Sequence, residues 1–71
     1  MNIERLVNMA NQIGLFFEAQ PDRAEAIGGI ADHLKRFWDP RMREAILAHW
    51  REGGAGLREI VAEAVKKLAA G

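Results

Sequence analysis

The chain has 71 residues, with ten Lys/Arg against ten Asp/Glu, a formal net charge of zero and no Cys. That length holds one domain, residues 1–71, and the lack of Cys removes disulfides, thiolate catalysis, Fe–S ligation and Cys-type zinc sites. Zero net charge leaves no basic excess to neutralise a nucleic-acid backbone.

Four helical segments follow from apolar spacing and from Pro and Gly signals. The first is expected from Asn2 to Ala19, with Ile3, Leu6, Val7, Ala10, Ile13, Gly14 and Phe17 on its inner face. Gln20-Pro21 ends it, because the residue before Pro is pushed out of helical dihedrals. The second is expected from Pro21, at the first helical position, to Phe37 or Trp38. Its inner stripe is Ile27, Ile30, Ala31, Leu34 and one of those two aromatics. Gly28-Gly29 costs about 2 kcal/mol in a helix interior, so close packing there is expected in preference to a bend. Asp39-Pro40 is the clearest boundary: a carboxylate cap followed by Pro at the first helical position. The third helix should reach Glu52 with Met42, Ala45, Ile46, His49 and Trp50 on one side. Gly53 or Gly54 then supplies a left-handed cap. The fourth is expected from Leu57 to Ala69, with Leu57, Ile60, Val61, Ala64 and Leu68 inward and a Glu63–Lys67 pair outside. The fold expected is all-α, a small compact bundle of four short helices.

No apolar run approaches the ~20 residues of a membrane-spanning helix. The start, Met1-Asn2-Ile3-Glu4-Arg5, lacks the basic-then-apolar pattern of a signal peptide. A cytoplasmic domain is therefore expected, and one so small that it calls for a staple or a partner. Catalytic chemistry is poorly supplied. The chain contains no Ser, Thr, Tyr or Cys, so the usual hydroxyl and thiol nucleophiles are missing. His33 and His49 fall on different helices and outside any metal-binding pattern. No catalytic residue, metal site or cofactor is expected.

An interaction surface is the stronger signal. The twelve residues Leu6 to Phe17 carry no charge. Asn8, Asn11 and Gln12 share one side at i, i+3, i+4, where amides can bond across an interface without the desolvation cost of a charge. Met9, Leu15 and Phe16 widen the apolar surface beyond one stripe. The second signal is Lys35-Arg36-Phe37-Trp38-Asp39-Pro40-Arg41-Met42-Arg43, four cations and two aromatics around a capped turn. Arg and Trp often anchor interfaces. The partner surface expected from these two segments comprises Asn8, Asn11, Gln12, Phe16, Arg36, Trp38, Arg41 and Arg43. A helix-turn-helix could also place Arg41 and Arg43 on DNA, but Glu44 and Glu52 follow them and the net charge is zero. A self-associating helical module, its amide-rich face meeting a second copy, is the main alternative.

The segments Met9-Ala10-Asn11-Gln12-Ile13-Gly14 with Phe16-Phe17, and Arg36-Phe37-Trp38-Asp39-Pro40-Arg41-Met42-Arg43, resemble the delta subunit of NAD-dependent, molybdenum- or tungsten-containing formate dehydrogenases. So do Pro21-Asp22-Arg23, Ile30-Ala31-Asp32-His33-Leu34, Ile46-Leu47-Ala48-His49 and Gly53-Gly54-Ala55-Gly56-Leu57. The resemblance implies a small, cofactor-free accessory subunit of a cytoplasmic enzyme. Its partner would be the large catalytic subunit, which carries the bis-pterin metal centre and Fe–S clusters, while other subunits carry FMN and bind NAD. The implied role is stabilising or helping to assemble that large subunit, with self-association possible when the chain is isolated. Neither nucleic acid nor membrane enters this picture.

Overall fold

Polar side chains ahead of the apolar runs set the helix starts. A computed structural model describes residues 2–71 as α1 (Ile3–Phe17), α2 (Arg23–Phe37), α3 (Pro40–Arg51) and α4 (Glu59–Ala70). The Asn2 side chain accepts from the backbone N–H groups of Glu4 and Arg5, so Asn2 caps α1 and stands outside it. Asp22 accepts from the Glu25 N–H at 3.2 Å. Its carboxylate fixes the start of α2 one residue after the cap, and Pro21, expected inside the helix, lies before it. Asp39 accepts from the Met42 N–H at 2.9 Å with Pro40 at the first position of α3, as the sequence led one to expect. The Gly54 N–H bonds back to the His49 carbonyl at 2.9 Å and the Gly53 N–H to that of Trp50 at 3.0 Å. Both glycines have positive φ, the paired-bond ending that only a residue without Cβ adopts at low cost.

The expected all-α bundle of four short helices is what forms. Its inner faces supply one core: Leu6, Val7 and Ala10 of α1, Ala26, Ile30, Ala31 and Leu34 of α2, Ile46 of α3, Ile60, Val61, Ala64 and Val65 of α4, and Trp38 from the turn. The two central helices, α2 and α4, pack most extensively, and α1 lies against α2, α3 and α4. Ala26 and Val65 are core residues outside the expected stripes. Leu57, expected to start α4, precedes it and still packs against the core from the loop. Glu63 and Lys67 both face solvent without forming an ion pair. The ion pairs among the described residues are Arg23–Glu59, Arg36–Asp32 and Arg58–Glu18. All are exposed, and each contributes about 0–1 kcal/mol.

Two glycines explain how the helices approach. A Cβ on Gly14 would stand 2.4 Å from Cγ2 of the buried Val61, so α1 reaches α4 only because the side chain is missing. At Gly29 a Cβ would meet the Phe17 ring at 2.5 Å, whereas at Gly28 it would meet nothing within 4 Å. The expected close packing is therefore confined to Gly29, and α2 runs through both glycines unbroken. Gly14→Ala should lower stability by about 1–2 kcal/mol, since Val61 is β-branched and fully buried and overpacking exceeds the gain in helix propensity. Gly28→Ala should raise it by up to about 1 kcal/mol. Urea unfolding of the two variants should move the midpoint in opposite directions.

Candidate functional site

The inner face of α1 fixes its outer one. With Leu6, Ala10 and Gly14 buried, a helical period of 3.6 residues turns Asn8, Gln12, Leu15 and Phe16 to solvent, with Met9 at their edge. Phe16 is 76% exposed, Leu15 56% and Met9 37%. Three large apolar side chains thus stand in water on one helix, and between Arg5 and Glu18 no charge interrupts them. Phe16 is held edge-on against Phe17, ring centroids 5.3 Å apart, and Phe17 in turn rests on Gly29. The protruding ring therefore stands on a packed neighbour.

The three amides divide into two roles. Asn8 and Gln12 are exposed. Asn11 is engaged inside the molecule: its Nδ2 donates to the Gly56 carbonyl at 2.9 Å, and its Oδ1 accepts from the Arg58 N–H at 3.0 Å. Arg58 precedes the first turn of α4 and makes no side-chain cap of its own, so α1 supplies the amide that closes this loop. His49 supports the same loop with a ring nitrogen 2.7 Å from the Ala55 carbonyl. With a carbonyl as partner, that nitrogen carries the proton and donates.

The aromatic–basic turn also sorts into inside and outside. Trp38 is only 4% exposed and belongs to the core, while Phe37 is 72% exposed and lies against His33 with centroids 4.8 Å apart. Trp38, expected at the partner surface, is instead what α2 and α3 close over. Arg43 donates to the carbonyls of Trp38 and, at 3.1 Å, Lys35. It thereby satisfies two carbonyls at the C-terminal end of α2, where a cation is also favoured by the helix dipole. Arg36 pairs with Asp32 at 3.0 Å one turn away. Arg41 is exposed and forms no ion pair among the described residues.

One shallow groove joins the two segments. It is lined by Glu4, Arg5, Asn8, Met9, Gln12 and Ile13 of α1 together with Asn2, His33 and Trp38. Of the expected surface residues, Asn8, Gln12 and the largely buried Trp38 meet there, with Phe16 further along α1. Phe37, which the sequence left undecided between core and surface, projects from the adjoining end of α2. Sequence spacing alone could not assign Phe37, since either aromatic satisfied the stripe. Among the described residues no three His, Asp or Glu side chains converge as a metal-binding group, and no helix is long and apolar enough to cross a membrane.

Residues 5–65 match the family model described as NADH-dependent formate dehydrogenase delta subunit FdsD. No curated protein and no solved structure matches the chain.

Three substitutions separate internal from external roles. Asn11→Asp keeps the acceptor for Arg58 but loses the donor to Gly56 and sets a carboxylate beside its carbonyl, so stability should fall by about 1–2 kcal/mol. Arg43→Glu should cost a similar amount by uncapping α2 and placing an anion at its negative end, whereas Arg41→Glu should change stability by less than about 0.5 kcal/mol. Chemical denaturation followed by circular dichroism measures all three.

Proposed function

The chain belongs to the NADH-dependent formate dehydrogenase delta-subunit family, and on that premise we propose that it is a non-catalytic, cofactor-free accessory subunit acting in the cytoplasm. It docks on the large molybdopterin-binding subunit and stabilises that subunit or assists its assembly. Formate oxidation and NAD reduction belong to the other subunits. The observation that carries this reading is the charge-free outer face of α1, where Met9, Leu15 and Phe16 stand exposed. A small domain gains stability by burying such side chains, at roughly 1.5–3 kcal/mol each. Leaving three of them in water on one helix is explained by a partner that covers them.

The proposed docking surface has Phe16 as its anchor, Asn8 and Gln12 as neutral hydrogen-bonding groups, and Phe37 at the adjoining end of α2. Arg36 and Arg41 lie at its margin, where a cation stays hydrated and affects the encounter rate more than the final affinity. Asn11, Trp38 and Arg43 act from within, by holding α1, the turn and α2 in place. Aromatic anchors surrounded by weaker polar contacts are the usual arrangement of an energetically concentrated interface.

Phe16→Glu tests it. The ring is exposed in the isolated chain, so helicity and stability should be nearly unchanged, while affinity for the large subunit falls by about tenfold or more. Co-purification of a tagged chain with the large subunit, compared for parent, Phe16→Glu and Arg41→Glu, gives the readout. If the Phe16 variant retains the large subunit as well as the parent does, this face is not the docking surface.

A further inference from the structure

We infer that the same face of α1 pairs with a second copy of this chain, antiparallel about a two-fold axis at Gln12, so that the free chain masks its own docking surface. Four observations carry this. The face is uncharged from Leu6 to Phe17, and groups near a two-fold axis meet their own copies, so a charge-free centre pairs without repulsion. Its ends set no like charges together: Arg5 stands at one, and at the other Glu18 is already paired with Arg58, so an antiparallel arrangement brings each Arg5 towards a neutralised end. Gln12 lies at the middle of the exposed arc, between Asn8 and Leu15 on one flank and Met9 and Phe16 on the other. An amide carries both donors and an acceptor, so two copies of Gln12 across an axis can satisfy one another.

The fourth observation is area. At about 200 Å² for a fully exposed large side chain, Met9, Leu15 and Phe16 leave roughly 350 Å² uncovered. Two copies bury twice that, with the amides adding to it, which sits at the lower end of specific interfaces, near about 1,000 Å². The pairing is accordingly weak and reversible, a cover that a larger partner displaces. That last step rests on the function proposed for this face; the pairing itself does not.

Sedimentation equilibrium of the full chain from about 1 µM to about 1 mM should show the mass rising from 7.9 kDa towards twice that value. Gln12→Glu and Gln12→Lys each set like charges across the axis and should each weaken pairing by more than about tenfold. Both retain helix propensity close to that of Gln, so circular dichroism should not change. An equimolar mixture of the two variants should pair again, since Glu then faces Lys. A chain that stays monomeric throughout, or a pairing indifferent to Gln12, overturns the inference. So does failure of the mixture to recover. If the parent is monomeric while Phe16→Glu still loses the large subunit, the self-pairing fails and the docking function stands. If the parent pairs through Gln12 but Phe16→Glu keeps the large subunit, the docking function fails and the pairing stands.

Discussion

The approach of α1 to α4 at Gly14 is the constraint from which the rest of the surface follows. Gly14 admits Cγ2 of Val61 into the space its own Cβ would fill. Three residues earlier on the same helix, Asn11 bonds the Gly56 carbonyl and the Arg58 N–H. Contact and clamp together fix the rotation of α1 about its axis. Once Gly14 and Ala10 face inward, Gln12 and Phe16 have nowhere to go but outward. A helix rolled by half a turn would bury the amides without partners and expose the core stripe, at a cost of several kcal/mol. The exposed apolar face is thus a consequence of how tightly the opposite face is seated.

The amide side chains show how the chain distributes its neutral polar groups. With no Ser, Thr or Tyr available, Asn and Gln carry most of that work, and all five of them lie at or before Gln20. Asn2 caps α1 and Asn11 closes the loop before α4. Asn8 and Gln12 have no such internal duty. They occupy positions where Lys or Glu would serve solubility equally well in a monomer, and helix propensity would favour those charges over Asn. Their neutrality lowers the cost of dehydrating that face, because a buried charge must be paired whereas an amide needs only a hydrogen bond.

Much of this architecture is legible in the sequence. The helix count, the Asp39-Pro40 corner, the glycine ending of α3 and most core positions follow from periodicity and capping chemistry, which are local. Helix limits shift by a residue or two where a cap outranks the apolar pattern, as Asp22 does over Pro21. The candidate surface is legible only as a stretch. Whether Asn11 faces a partner or its own chain depends on a contact with a loop 45 residues away. Phe37 and Trp38 are adjacent, and the extended backbone at Trp38 decides which one swings into the core. The role of Arg43 likewise depends on the corner's geometry, which brings its guanidinium back onto the end of α2. Composition identifies such residues as able to bind; only the fold says to what.

The basic turn and the apolar face therefore differ in kind, although the sequence presents them as two signals of one surface. Of its four cations, Arg43 is spent on backbone carbonyls and Arg36 on Asp32, which leaves Lys35 and Arg41 as exposed charges without an ion pair among the described residues. Two hydrated cations contribute little to a final affinity at physiological ionic strength, where screening acts within about 8 Å. They suit the early, long-range part of an encounter instead. Phe16, by contrast, acts only on contact, and its ring is held in advance against Phe17, so little rotamer entropy remains to be lost when a partner covers it. The same holds for Phe37 against His33. Two aromatics held in place beside charge-free amides form a surface already organised for burial, and the cost of that organisation is met inside the bundle, by the packing of Phe17 on Gly29 and of Trp38 beneath the turn.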